Sequence, residues 1–210
     1  MNKKTWTTWM VAAAMTTLGQ QAHANLVQDG SFEGVSLASG SYTQLWNGQS
    51  AAWALGASGL EVRNSIVGAA YEGNNYAELD AYSANSFISQ ELSTVAGQWY
   101  ELSFAYANRL GWPVASNGLT WEVGGQQGTA PALAFNNTGT HDWHLFSVVW
   151  QATSDTTVLK ISAAGLSDGA GSSLDAISVT PVPEPQSAWL MLAGLLGMGT
   201  WVSRRKQAQR

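Results

Sequence analysis

Tyr100-Glu101-Leu102-Ser103-Phe104-Ala105-Tyr106 is the stretch that decides the fold. Large apolar side chains fall at every second position, with Glu101, Ser103 and Ala105 between them, which is the period of a half-buried strand. A helix would space its apolar residues three and four apart, and nothing between Asn25 and Thr180 sustains that spacing. The alternation recurs at Phe146, Val148 and Trp150, and again at Leu159 and Ile161 around Lys160. Shorter strand candidates are Leu60–Asn64, Tyr76–Asp80, Phe87–Leu92, Leu119–Val123 and Leu174–Val179. Turn-rich pieces separate them: Gly73-Asn74-Asn75, Val95-Ala96-Gly97, Asn136–Gly139 and Ser167–Ser172. Roughly eight to ten short strands with such punctuation predict an all-β fold, an antiparallel β-sandwich of jelly-roll type.

The two ends of the chain are of another kind. Met1–Ala24 carries Lys3 and Lys4, an apolar stretch from Trp6 to Leu18, and Ala22-His23-Ala24 ahead of Asn25. That is the order of parts in a secretory signal peptide. At the other end Pro181–Arg210 opens on Pro181-Val182-Pro183-Glu184-Pro185, continues with the uncharged run Ala188–Val202, and then reaches Arg204, Arg205 and Lys206. A helix over that run spans about 22 Å against a hydrocarbon core of about 30 Å. Local thinning or snorkelling of its flanks lets it cross, with the basic cluster on the cytoplasmic side. The prolines around Glu184 force an extended entry into it. Three segments are therefore expected: a signal peptide over 1–24, one domain over 25–180, and a tail over 181–210.

Setting the ends aside changes the charge balance. Arg63, Arg109 and Lys160 are the only basic residues in 25–180, against thirteen carboxylates, a formal charge of −10. A surface of that sign repels phosphate backbones, so no nucleic acid is expected as a partner. The chain has no cysteine, so the exported domain must hold together by core burial or metal rather than by disulfides.

The tail resembles the PEP-CTERM sorting signal of Gram-negative bacteria in every part: Pro183-Glu184-Pro185, the short apolar helix, and the basic cluster Arg204, Arg205 and Lys206. The resemblance implies an exosortase as processing partner, transient residence in the inner membrane, and delivery to the cell surface or extracellular matrix. Carriers of this signal usually accompany exopolysaccharide or biofilm production.

The domain resembles the galactose-binding-like jelly rolls of carbohydrate-binding modules. Asn25-Leu26-Val27-Gln28-Asp29-Gly30-Ser31-Phe32-Glu33 is similar to their opening strand, and Leu174-Asp175-Ala176-Ile177-Ser178-Val179 to their closing one. Glu72–Asp80, Ile88–Thr94 and Gly97–Tyr100 continue the pattern. Asp29 stands where the pattern has Asn, and Ala176 where it has a second acid.

Along a regular strand Asp175 shares a face with Ile177 and Val179, so its carboxylate is expected to point inward. A buried charge must be paired, hydrogen-bonded or metal-bound. Asp175 therefore caps backbone amides in a turn, pairs with a basic residue, or binds metal. The resemblance implies the last, a structural calcium joining the first and last strands, here through Glu33 and Asp175 with Asp29; hard oxygen ligands suit that ion.

Sugar-binding surfaces combine flat apolar rings with sparse polar groups. The aromatics outside the alternating strands are Tyr42, Trp46, Trp53 and Trp112; Arg109 follows the Tyr100 strand, and Glu61 lies at the start of another. For each aromatic, core packing competes with sugar contact. Trp99, Trp121 and Trp150 sit within strand patterns and are expected in the core. The negative charge suits neutral polysaccharide.

Signals for catalysis are weak. Gly165-Leu166-Ser167-Asp168-Gly169 matches G-x-S-x-G, but a glycine-rich loop follows it instead of a helix, and no histidine follows the serine. His141 and His144, three apart, face opposite sides of a strand, which argues against zinc. Thirteen acids leave a glycosidase pair open. Three functions fit: a non-enzymatic surface protein with a carbohydrate-binding jelly roll, a structural matrix protein that binds no sugar, and a glycan hydrolase.

Overall fold

A computed structural model describes residues 24–82 and 84–183. The signal peptide up to residue 23, the apolar run 188–202, and the motif residues Glu184, Pro185, Arg204, Arg205 and Lys206 lie outside the described residues. Among the described residues no helix is long and apolar enough to cross a membrane.

Thirteen strands follow in order: β1 Ser41–Leu45, β2 Ala54–Leu55, β3 Leu60–Asn64, β4 Asn75–Glu78, β5 Asp80–Ala81, β6 Ala84–Asn85, β7 Phe87–Ser93, β8 Trp99–Ala107, β9 Leu119–Val123, β10 Gln126–Thr129, β11 His144–Gln151, β12 Thr156–Ala163 and β13 Ser173–Pro181. They pair into a six-stranded sheet in the order β1-β3-β4-β13-β8-β11, a five-stranded sheet in the order β10-β9-β12-β7-β2, and the hairpin β5-β6. The pairing is antiparallel throughout. Two such sheets packed face to face are the expected all-β sandwich. The predicted strands Leu60–Asn64 and Leu119–Val123 match to the residue.

The core forms where the inward alternations meet. Leu102, Phe104, Leu60, Val62 and Val179 come from the larger sheet, and Ile88, Leu92, Leu159, Ile161 and Leu119 from the smaller. Trp150 is fully buried and stacks on Tyr100 with ring centroids 5.2 Å apart. Each such aliphatic side chain contributes about 1.5–3 kcal/mol on burial.

Three expectations change. Trp99 is 43% exposed rather than core, because it precedes inward Tyr100 and a strand alternates. Trp53, expected at a ligand surface, is buried, stacked on Phe32, with its indole N–H donated to the Asp29 carbonyl at 3.0 Å. Asp175 does not share a face with Ile177 and Val179. Asp175 pairs with Ala105 and Ser178 with Ser103, so three steps along β13 match two along β8. Ala176 sits at φ +48 in the bulge, and the extra residue turns Asp175 onto the outer face of the larger sheet.

Candidate functional site

The registers of β1, β3 and β4 build two rows across the outer face of the larger sheet. Tyr42 pairs with Arg63, and Arg63 with Tyr76; Gln44 pairs with Glu61, and Glu61 with Glu78. Cross-strand partners point to the same face, so these six side chains share the side opposite Leu60 and Val62. β1 is an edge strand, and Trp46 follows immediately beyond it.

Beneath this surface lies an ion network. The Glu78 carboxylate is fully buried and meets Arg63 at 2.7 Å and Arg109 at 2.5 Å, and it accepts the Gly171 amide at 2.9 Å. Arg63 also pairs with Glu61. Burial pushes the Glu78 carboxyl above its ordinary value, against the pull of Arg63 and Arg109. Arg63 and Arg109 thus both pair with buried Glu78, and Arg109, placed among the candidates for a ligand surface, is a scaffold for the surface more than part of it.

Two exposed rings meet just beyond the end of β1. Trp46 is 39% exposed and meets the ring of Tyr82 edge-on, centroids 5.6 Å apart and 79° between planes. Its backbone is set by a turn in which the Trp46 amide donates to Gln49 Oε1 at 2.8 Å and the Gln49 amide donates back to the Trp46 carbonyl. Tyr82, at the tip of the β5–β6 hairpin, is 78% exposed and held at φ +52, a conformation that non-glycine residues adopt rarely. Tyr42 is 56% exposed on the outer face of β1, in register with Arg63. Trp112 is partly exposed in the loop after Arg109 but, among the described residues, pairs with no other ring. The structure thus places Tyr42 and Glu61 on the outer face of the larger sheet, pairs Trp46 with Tyr82 beyond the end of β1, ties Arg109 to buried Glu78, and removes Trp53. Reading Tyr76–Asp80 as one strand concealed Tyr82. The signal that marks it is an aromatic inside the small-residue stretch Asp80-Ala81-Tyr82-Ser83-Ala84-Asn85.

The residues expected to bind metal lie elsewhere. Glu33 accepts the backbone amides of Asn74 and Asn75 at 2.6 and 2.7 Å. Asp175 accepts those of Tyr71 and Glu72 at 2.8 and 3.0 Å through one oxygen, and that of Ala176 at 2.7 Å through the other. Both acids therefore hold the same segment, Tyr71–Asn75. Asp29 accepts the Gly34 amide at 2.9 Å in the adjoining turn. Burial raises the Glu33 carboxyl, but the Asn75 and Asn74 donors outweigh it and hold the group below its ordinary value. Asp175 is the opposite case: burial, with the charge of Glu72 behind it, pushes its carboxyl up to about 7, in spite of its three amide donors. Among the described residues no three His, Asp or Glu side chains gather as a metal-binding group. An open depression of about 460 Å³ adjoins Glu33, lined by Ser36, Ser39, Asn64, Ser65 and Asn74.

The segments weighed for catalysis are structural. His141 lies against the Ala69 carbonyl and Ser173 Oγ, at 3.0 and 3.1 Å, while His144 faces Asp142 at 3.4 Å. Ser167 Oγ accepts the Asn85 amide at 2.9 Å.

The family described as "PEP-CTERM protein-sorting motif" matches residues 181–206, from the last residue of β13 onward. No curated protein matches the chain. Among solved structures, TmCBM61 in complex with β-1,4-galactotriose superposes at 14% identity with a TM-score of 0.52, covering 76% of this chain and 99% of that one. A family 35 carbohydrate-binding module from Clostridium thermocellum gives 19% identity and a TM-score of 0.42, over 66% and 97%. The arabinose-bound MgGH51 α-L-arabinofuranosidase gives 17% identity and a TM-score of 0.50; this chain is covered to 76% and spans 26% of that enzyme. The described domain has the jelly-roll fold found in carbohydrate-binding modules, and the chain carries a PEP-CTERM sorting motif.

Proposed function

We propose that the protein is an exported, exosortase-sorted surface or matrix component whose jelly roll binds neutral polysaccharide without cleaving it. The observation that carries this reading is the pair of exposed rings Trp46 and Tyr82, in edge contact just beyond the end of β1, the strand on which Tyr42 is also exposed. Rings held by a sheet edge and a hairpin offer stacking area at little entropic cost, and a fixed carboxylate accepts sugar hydroxyls. The formal charge of −10 over residues 25–180 disfavours acidic glycans. Cleavage would need a free pair of carboxyl groups flanking the bond. Glu61 is bound to Arg63, and Glu78 is buried under two arginines. The sorting motif supports a role at the cell envelope, with exopolysaccharide or biofilm as its setting.

The test is retention of purified residues 25–183 on neutral glycans. β-1,4-Galactotriose, bound by a protein of the same fold, is the first probe. Trp46→Ala and Tyr82→Ala should each weaken binding about tenfold, the loss of 1–1.5 kcal/mol of ring contact. No retention across neutral glycans would leave a purely structural matrix protein, and reducing-sugar release would make it a hydrolase.

A second proposal concerns calcium at Glu33 and Asp175, with Asp29 in the adjoining turn. What supports it is a buried carboxyl, Asp175, with no basic partner and an acidic neighbour in Glu72. A calcium ion there would supply the compensating charge and join the first turn to the last strand. Its removal by chelator should lower the melting temperature; an unmoved melting temperature refutes the site.

A further inference from the structure

We infer that the end of the sandwich where β13 finishes is a lipid-facing surface, on which the anchored precursor rests against the bilayer through Trp99 and Val95. This rests on the reading of the tail as membrane-anchored. The chain is fixed to the folded body up to the sorting motif itself. β13 pairs with β8 as far as Pro181 opposite Tyr100. The Val182 amide then donates to the Trp99 carbonyl at 2.8 Å, and Gln98 Nε2 donates to the Val182 carbonyl at 2.9 Å. Pro183 is thus the first residue without a tie to the domain.

From Pro183 to Ala188, where the apolar run begins, there are five chain steps, at most about 18 Å fully extended. The domain is therefore held within about 18 Å of the start of the apolar run. The other end of the domain points the same way. The Leu26 amide donates to Val179 and the Ile177 amide to Gly30, so residues 26–30 run antiparallel to β13 and the chain enters where it leaves.

What this end displays suits a lipid interface. Val95, in the turn between β7 and β8, is 63% exposed, and Trp99 is 43% exposed; tryptophan is the residue that partitions to bilayer headgroups. The acids nearby are Asp155, whose Oδ1 accepts the Ala96 amide, and Glu101, opposite Thr180. They favour a zwitterionic surface over a strongly anionic one. The exposed rings Trp46 and Tyr82 stand at the opposite end, beyond the start of β13, about a nine-residue strand or 30 Å away. Docking at Trp99 therefore turns the glycan face outward.

The test exploits the absence of cysteine. The full chain carrying Val95→Cys or Leu166→Cys is labelled with an environment-sensitive fluorophore and reconstituted into phosphatidylcholine vesicles with brominated acyl chains. Leu166, exposed near the start of β13, reports the far end. The chain should float with the vesicles, with quenching at position 95 and none at 166. Adding Trp99→Ser should reduce the quenching at 95. Flotation with no quenching at 95, equal quenching at both positions, or quenching indifferent to Trp99→Ser overturns the docking surface and leaves the tail reading standing. Failure to float overturns both.

Discussion

Glu78 shows how much a single side chain organises here. It is fully buried, forms ion pairs with two guanidinium groups and accepts a backbone amide, so it ties β3, the loop after β8 and the loop before β13 to β4. Removing one partner of a buried ion network leaves an uncompensated charge and costs about 3–5 kcal/mol. Arg63→Met should destabilise the domain by that amount in urea unfolding, more than any substitution among the exposed rings. Asp175 yields a pH dependence of unusual sign. Its folded value of about 7 lies above the ordinary 3.8, so the folded chain holds this proton more tightly than the unfolded chain. The associated stability is complete below about pH 4 and is lost as pH rises through about 7. In chelator, the stability gap between the protein and Asp175→Asn should therefore narrow from pH 4 to pH 8, as read by thermal unfolding at each pH. A gap that widens with pH would mean the carboxylate is favourably ionised as it stands. Calcium bound at this carboxylate would flatten the dependence.

At the scale of the element, the bulge in β13 decides what the closing strand presents. Ala176 at φ +48 carries a Cβ where glycine would be at ease, a cost of about 1 kcal/mol. Ala176→Gly should raise the melting temperature by a few degrees, as about 1 kcal/mol does in a domain of this size; a fall would mean that the Ala176 methyl packs well enough to outweigh the strain. The same bulge marks where the sequence stops being legible. Alternation in Tyr100–Tyr106 and Leu119–Val123 predicts strand and facing together, because a regular strand has one phase. Applied across Asp175–Val179, that phase puts Asp175 on the wrong side, since one extra residue reverses every position before it. Edge elements are the other blind spot. β1, β2, β6 and β10 carry little apolar alternation, and they are strands because a neighbour offers hydrogen bonds. Two of the site's rings, Tyr42 on β1 and Tyr82 beside β6, lie on or next to these elements. The sequence therefore named Tyr42 and Trp46 as aromatics outside the alternating strands without showing that Tyr42 lies on an edge strand, and it missed Tyr82.

Across the whole molecule, the last strand in sequence is among the most central in space. β13 lies between β4 and β8 in the six-stranded sheet, and its Leu174, Ile177 and Val179 are buried in the core. Without it β4 and β8 have no link, and the sheet falls into the three strands β1-β3-β4 and the pair β8-β11. The core therefore cannot close until the residues next to the sorting motif are available. If residues 1–24 act as the expected signal peptide, the sandwich then forms outside the membrane, with the tail close behind. Contacts that pair distant segments are slow to form because the loop entropy comes first. A chain ending at Ser172 should show no cooperative unfolding transition in urea, whereas one ending at Pro183 should unfold in a single step. Cooperative unfolding of the shorter chain would show that the two half-sheets hold a core by themselves, and folding would then not wait for the segment that carries the sorting motif.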